Sequence, residues 1–566
     1  MTLLSLLLPE IILISVASLL FLLGLSSTAA ARRLAPVLAL LSLLAVLGFQ
    51  IYRVATSGPH TEFDTFGGGG NGTLRVAAFA QYIQLITAAI GVLLVLLAWP
   101  TNEDATGNGS LHFGADAGEF FALMLLSLAG VLLVAGANDI MLLFLGIELA
   151  SIPTYIMVAL SRPLPVAQEA GVKYFFLGAF AAAVMLFGFS YLYGTTGSTN
   201  LHEILLKLHP NNDWSTRITL TSWQSLAVVM LIAGFAFKMA AVPLHFYAGD
   251  VYQGAATPVT AFLSFVPKAS GFVALIKVLF ALGGPLWVLP EPIVRPNGTG
   301  LLWILAILTM SVGNVLGLLQ YNVKRVFAYS SIAHTGYMLV ALAALATGQF
   351  VTPSAELMKA TGLQAVLFYL AAYGVMNIGA FGVLELLPSR DGKGSAETFE
   401  DLAGTGRKHV GLGLAMAVCC FSLIGIPLTI GFMGKLMIIK PALAAASATL
   451  KPGAVPVRSA MIWLIVITMA NAAVSAAYYL KIVATMFLRT EESAQPPARP
   501  ALAVFSRPAI PIVLAVVVSV VATLLFGTVP PATEQLGAAV VKASDIEGQL
   551  PAAAPSTPRP VVAGAR

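Results

Sequence analysis

Charge is scarce in this chain: only 10% of its 566 residues are Asp, Glu, Lys or Arg, against about 25% in an ordinary soluble domain. Water could not solvate a folded surface this poor in charge. Cysteine is scarcer still. Cys419 and Cys420 are the only two, adjacent in an apolar run, and a lone pair cannot supply the four thiolates of an iron–sulfur cluster. With no haem or nucleotide motif either, no redox centre, cofactor site or metal site is expected in the chain itself. There is no block of one sign of charge. The formal balance is +5, but the basic residues are spread over short connectors, which excludes nucleic-acid binding and reads instead as topology signalling. The first apolar segment lacks a positive n-region and runs past the length of a signal-peptide core, so it reads as a retained first span rather than a signal peptide.

What remains is hydrocarbon-like. Hydrophobic residues make up 58% of the chain and the mean hydropathy is +0.89. Apolar runs long enough to cross about 30 Å of lipid recur from end to end. They predict an all-α polytopic membrane protein with about fourteen spans, near 3–25, 34–53, 77–99, 119–136, 139–160, 166–194, 222–250, 256–282, 301–319, 325–347, 362–387, 409–447, 459–488 and 507–528. Turn-forming stretches such as Gly67 to Gly72 and Pro285 to Gly300 separate them, and a Pro/Ala-rich tail follows Pro530. The tightest basic clusters, Arg32-Arg33, Lys324-Arg325 and Arg407-Lys408, fall on one side, which would place both termini outside.

The triplet Gly178-Ala179-Phe180 recurs at Gly379-Ala380-Phe381, and each copy is followed one span later by a proline in an apolar helix, Pro243 and Pro427. A proline lacks the N–H and crowds the carbonyl four residues earlier, so both helices are expected to break. Matching interruptions in two halves mark the mid-membrane site of transporters built from repeats; the competing reading is a pair of ordinary kinks.

Ionisable residues within these spans cost roughly 2.5–3.5 kcal/mol each at a helix centre and are usually there for function. Glu148 sits about nine residues into its span, near the membrane centre at 1.5 Å per residue; its expected partner is Lys238, although a carboxylate bonded to helix backbone is the alternative. Lys238 precedes Pro243 and is expected to lie beside the freed carbonyl of Met239 and water. Lys435 follows Pro427 in the second interrupted helix, and Lys268 lies mid-span as a bridge between the halves, or else as an inert interhelical bond. Lys173 is nearer a span end, where it could also snorkel, as Lys277 is expected to do; Lys481 has no assigned part. His245 and His334 are possible proton relays or structural histidines. Asp139 reads as a helix N-cap.

Four segments, GEFFALMLLSLAGVLLVAGANDIMLLFLGIELASIPTYIMVAL, VKYFFLGAF, FKMAAVPLHFYAGDVYQGAATPVTAFLS and DLAG…LIGIPLTIGFMGK, together resemble the antiporter-like membrane subunits of the proton-pumping NADH:quinone oxidoreductase, complex I, and subunit N above all. The resemblance covers roughly residues 115–490. It implies two inverted five-helix repeats, 115–283 and 300–490, after three N-terminal spans in 1–114, with a last span in 505–530 and a tail over 531–566. It also implies a proton path through Glu148, Lys173, Lys238, Lys268 and Lys435, with the seventh and twelfth spans broken.

The resemblance further implies the inner membrane of a bacterium, or an equivalent energy-transducing membrane, as location. Subunits M, K and J and lipids would be the neighbours, while NADH, FMN, iron–sulfur clusters and quinone would be handled by partner subunits. Subunit M generally has a glutamate where this chain has Lys435, and subunit L adds a long lateral helix, so N fits best. Departures are local: Ala248-Gly249 precede Asp250 where the family often has an aromatic residue and a proline, and Ala77 replaces an aspartate. The alternatives are a multisubunit sodium/proton antiporter or a related membrane-bound hydrogenase or dehydrogenase; a passive scaffold accounts poorly for the buried charges.

Overall fold

A computed structural model describes residues 6–26, 29–56, 63–64, 72–100, 116–162, 164–208, 220–282, 300–346, 355–389, 395–447, 455–489, 510–529 and 539. The connectors expected at Gly67 to Gly72 and Pro285 to Gly300, and the tail, lie almost wholly outside these residues. The chain is an all-α polytopic membrane protein. Among the described residues, eleven helices are long and apolar enough to cross a membrane, or twelve if one pair bent by 120° at residue 409 counts as a span. The other expected spans fall on helices too short to meet that test alone, Leu8–Gly24 and Ser222–Lys238. Among the described residues one strand pair, Phe63–Asp64 with Arg75–Val76, lies in a connector.

The helices, in chain order, are α1 (Leu8–Gly24), α2 (Ala29–Thr56), α3 (Ala78–Leu97), α4 (Ala117–Gly136), α5 (Ile140–Leu160), α6 (Pro165–Thr196), α7 (Leu201–Leu208), α8 (Ser222–Lys238), α9 (Ala248–Gly254) and α10 (Thr257–Ala281). They continue with α11 (Gly300–Leu318), α12 (Val323–Ala346), α13 (Ala355–Leu386), α14 (Phe399–Leu402), α15 (Thr405–Lys408), α16 (Val410–Ile424), α17 (Ile430–Ser447), α18 (Val455–Leu488) and α19 (Ile510–Thr528).

Which helices sit inside follows from small residues. Without a hydrophobic force between helices in lipid, close backbone packing must supply the contact. A Cβ added at Gly130 on α4 would lie 2.3 Å from the Ala150 nitrogen of α5, and one at Gly313 on α11 would lie 2.7 Å from the Ala333 nitrogen of α12. Helix α10 is buried through its whole apolar window, and α12 and α13 nearly so, whereas α6, α18 and α19 present most of theirs outward. The innermost helices are therefore the ones that carry Lys268, His334 and a set of tyrosines. Asp139 caps α5, its carboxylate accepting from the Met141 and Leu142 nitrogens, as its place after a short turn suggests.

Two helices stop where the prolines stand. Helix α8 ends at Lys238 and α9 begins at Ala248, with Pro243 between them. A break in lipid must have its backbone groups satisfied by protein, and here they are. The Tyr247 hydroxyl donates to the Phe237 carbonyl at 2.8 Å, the Thr335 hydroxyl to the Met239 carbonyl at 2.9 Å, and the Val242 N–H to the Thr309 hydroxyl at 3.1 Å. In the second case α16 ends at Ile424 and α17 begins at Ile430, with Pro427 between. Gly425, at φ +89°, closes α16: its N–H donates to the Ser422 carbonyl and that of Ile426 to the Phe421 carbonyl, the two bonds of a Schellman cap.

Candidate functional site

Lys238, with 2% of its side chain exposed, reaches from the end of α8 to one face of α5. Its ammonium donates to Glu148 Oε1 at 2.9 Å, Ser151 Oγ at 2.9 Å and the Tyr155 hydroxyl at 3.1 Å. Residues 148, 151 and 155 lie at helical spacing on one stripe, and an ammonium has three protons to give, so every donor is used. Glu148 is 16% exposed. Gly178 of α6, from the first Gly-Ala-Phe triplet, makes room: a Cβ there would lie 2.3 Å from the Tyr155 hydroxyl. The expected neighbour for Lys238, the Met239 carbonyl, is instead bonded by Thr335. The carbonyl belongs to the next residue along the chain, but a hydroxyl from α12 reaches it and leaves Lys238 to face α5.

Lys238 and Lys268 line one cavity, together with Tyr174, Tyr247, Tyr252 and Pro267, which offers about 10 Å³ to the centres of water-sized molecules, close to what one water needs. Pro267 lies inside α10, beside Lys268. Lacking an N–H, it leaves the Leu263 carbonyl without its helical partner, and Leu263 also lines the cavity. Lys268 donates to the Thr335 hydroxyl at 2.7 Å and to the Ser331 carbonyl. Thr335 therefore accepts from Lys268 and donates to the break that follows Lys238.

Beyond Lys268 the connection is aromatic. Its ammonium lies 5.3 Å from the Tyr373 ring centroid, and Tyr373 lies 5.0 Å from the His334 ring. His334 is buried with both ring nitrogens engaged, Nδ1 to the Tyr369 hydroxyl at 2.6 Å and Nε2 to the Tyr479 hydroxyl at 3.1 Å. Tyr337 meets the His334 ring edge-on at 5.5 Å and puts its own face 4.9 Å from the ammonium of Lys435. Lys435 donates to the Leu423 and Ile424 carbonyls at 3.0 and 2.6 Å, the last of α16, where helical carbonyls lack partners and the dipole favours a cation. The structure thus brings Glu148, Lys238, Lys268, His334 and Lys435 into one buried series.

It does not bring in the others. Lys173 is 44% exposed and bridges Glu169 at 2.7 Å and Asp250 at 3.0 Å, with Arg325 on the far side of Asp250 at 2.8 Å. His245 is buried, its Nδ1 without a hydrogen-bond partner among the described residues and its ring against Phe246. Lys277 does not snorkel: it donates to the Ala137 carbonyl at 2.6 Å, closing the end of α4. Lys481 lies over the rings of Phe399 and Tyr321. Sequence reasoning missed Thr335, the tyrosines and a buried amide pair, Asn314 and Asn471, because uncharged polar side chains give no signal in a hydropathy profile.

A second polar group sits in the connector between α13 and α14, where Glu397 takes Arg162 from the first half and Lys324 from the second. Burial raises the Glu397 carboxyl, but the two cations outweigh it and hold it below the usual carboxylate range.

Residues 137–451 match the family model described as NADH:quinone oxidoreductase/Mrp antiporter, TM. NADH-quinone oxidoreductase subunit N of Trichlorobacter lovleyi is 35% identical over 507 residues, covering 89% of this chain and 91% of the relative. The chain belongs to the subunit N family. The subunit N of Myxococcus xanthus is 40% identical over 396 residues, 66% of this chain and 70% of that one. Among solved structures, a chain of respiratory complex I from Thermus thermophilus aligns with a TM-score of 0.67 at 29% identity, over 92% of this chain and 98% of that one. A chain of the Mrp complex from Dietzia sp. aligns with a TM-score of 0.71 at 18% identity, a likeness of fold alone. Membership of the subunit N family makes this chain a membrane subunit of an NADH-quinone oxidoreductase assembly, and Glu148, Lys238, Lys268, His334 and Lys435 all lie within the residues that the family model matches.

Proposed function

We propose that the chain is an antiporter-like subunit that moves protons through Glu148, Lys238, Lys268, His334 and Lys435, driven by quinone reduction elsewhere in the complex. The observation that carries this reading is the Lys238–Glu148 ion pair beside a water-sized cavity shared with Lys268. A buried ion pair is poor evidence for stability, but an ammonium and a carboxylate within bonding distance can exchange a proton, and a mid-membrane pair is placed for transport. Lys173, with Glu169 and Asp250, forms the exposed end that gathers protons, and His245 is a lesser relay.

The two broken helices belong to two inverted repeats, 115–283 and 300–490, flanked by spans in 1–114 and 505–530, so that α1, α8 with α9, and α16 with α17 also cross the membrane. The chain itself handles no cofactor. NADH, FMN, iron–sulfur clusters and quinone belong to partner subunits, the neighbours are subunits M, K and J and lipid, and the membrane is the bacterial inner one or its equivalent. A sodium/proton antiporter of the Mrp kind shares the fold, but the subunit N relatives cover most of this chain at higher identity.

Thr335→Val tests the link between the halves. Valine keeps the shape and removes the hydroxyl that joins Lys268 to the Met239 carbonyl, stranding a buried acceptor at roughly 1–3 kcal/mol. Proton uptake by vesicles bearing the assembled complex is expected to fall about five- to a hundredfold by the same figure. An unchanged proton-to-electron ratio and rate would remove Thr335 and the bridge from the path.

A further inference from the structure

Lys238 has a carboxylate within 2.9 Å, but no carboxylate pairs with Lys268 or Lys435 among the described residues. Each of the three ammonium groups nevertheless faces a tyrosine ring, Tyr155 at 5.7 Å, Tyr373 at 5.3 Å and Tyr337 at 4.9 Å. The closest ring belongs to Lys435. Its other partners are two neutral carbonyls, of Leu423 and Ile424.

Tyr337 is held more firmly than packing alone requires. The two N–H of the Asn314 amide are shared among the Tyr337 hydroxyl at 3.1 Å and the Asn471 side-chain and backbone oxygens at 3.0 and 3.1 Å, and the Asn314 oxygen accepts from the Tyr478 hydroxyl at 2.9 Å. Asn314 is fully buried and Tyr337 is 1% exposed. This clamp spans α11, α12 and α18. A buried amide engaged on all sides fixes geometry, and here it fixes the plane of the ring under Lys435.

We propose that Tyr337, clamped by Asn314, Asn471 and Tyr478, is a positioning residue for Lys435: its ring face supplies the negative potential that a carboxylate supplies to Lys238, and so sets how readily the last lysine of the series takes and gives its proton. The ring quadrupole is negative over its face, and a desolvated ammonium there gains most. The groups that bear on Lys435 are Tyr337 on α12, the carbonyl end of α16, and His334 one turn before Tyr337. The proposal rests on Lys435 being a proton carrier.

The test replaces residue 337 with phenylalanine and with mono-, di- and trifluorinated phenylalanines in the full complex, which keep the ring's shape while draining its face of negative charge. Proton uptake into vesicles, normalised to assembled complex and to quinone reduction, is the readout. The Tyr337→Phe variant keeps the ring face but loses the hydroxyl that Asn314 holds, so it is expected to pump below the parental rate and sets the reference for the fluorinated series. Across the fluorinated series the rate should fall progressively, by roughly two- to thirtyfold in all, the range that cation–π contacts span.

Equal rates across the series would overturn the proposal. Lys435→Met, measured alongside, separates the two ideas. If Lys435→Met abolishes pumping while fluorination changes nothing, the ring has no such part and the proton path stands; if Lys435→Met pumps normally, both fall.

Discussion

Lys238→Ala should leave assembled complex that reduces quinone with proton uptake at least about a hundredfold down, the kinetic equivalent of the ~3–5 kcal/mol that stranding one member of a buried ion pair costs. Alanine takes away the cation that, alone among the described residues, lies within bonding distance of Glu148, and the donor to Ser151 and Tyr155. Glu148 would then have no ammonium to exchange a proton with, and the path would be cut at its first link. Lys481→Ala is the control. That lysine is exposed, its ammonium lies over the rings of Phe399 and Tyr321, and it is far less costly to lose. Proton uptake and quinone reduction measured together in vesicles distinguish a stalled complex from an uncoupled one, and parental uptake in the Lys238 variant would contradict the expectation.

Gly431→Ala should have the largest effect on assembly. Residue 431 begins α17 just after the second break, and a Cβ there would lie 1.8 Å from the Ser422 carbonyl oxygen and 2.9 Å from the Ser422 hydroxyl. The Gly431 N–H also donates to that hydroxyl at 3.1 Å. The two half-helices would have to part, and the carbonyls of Leu423 and Ile424 that hold Lys435 would move with them. Overpacking of this kind costs typically 1–3 kcal/mol and occasionally more; contact with backbone rather than a flexible side chain puts this position at or above about 3 kcal/mol. The amount of subunit in purified complex should drop sharply. Gly411→Ala on α16, where nothing lies within 4 Å of an added Cβ, should leave it unchanged, and equal yields from the two variants would show that the second break tolerates opening.

The charges were legible because lipid makes them conspicuous: Glu148, Lys238, Lys268 and Lys435 each interrupt a run of apolar residues, and few roles justify that cost. The two breaks were legible for the same reason, since proline in an apolar helix has few explanations. What satisfies the first break was not. Thr335 stands 96 positions from Met239, and an uncharged threonine between His334 and Gly336 gives no warning that it will bond a distant carbonyl. Lys277 was misplaced because its length suggested snorkelling; its partner, the end of α4, is 140 positions away in sequence and becomes available only through packing. The tyrosines were hidden for a further reason. A tyrosine in an apolar helix can pack anywhere its hydroxyl finds a partner, and only the positions of the Tyr337, Tyr369 and Tyr373 rings against Lys435, His334 and Lys268 show a polar use.

Redox-triggered infrared difference spectroscopy of the assembled complex during quinone reduction tests most directly whether Glu148 exchanges a proton. The expected result is a protonated-carboxyl band that appears and decays with turnover in the parental complex and is missing from the Glu148→Gln variant. Spectra of parent and variant that superimpose in that region, with proton uptake intact in both, would contradict a proton path through Glu148 and Lys238.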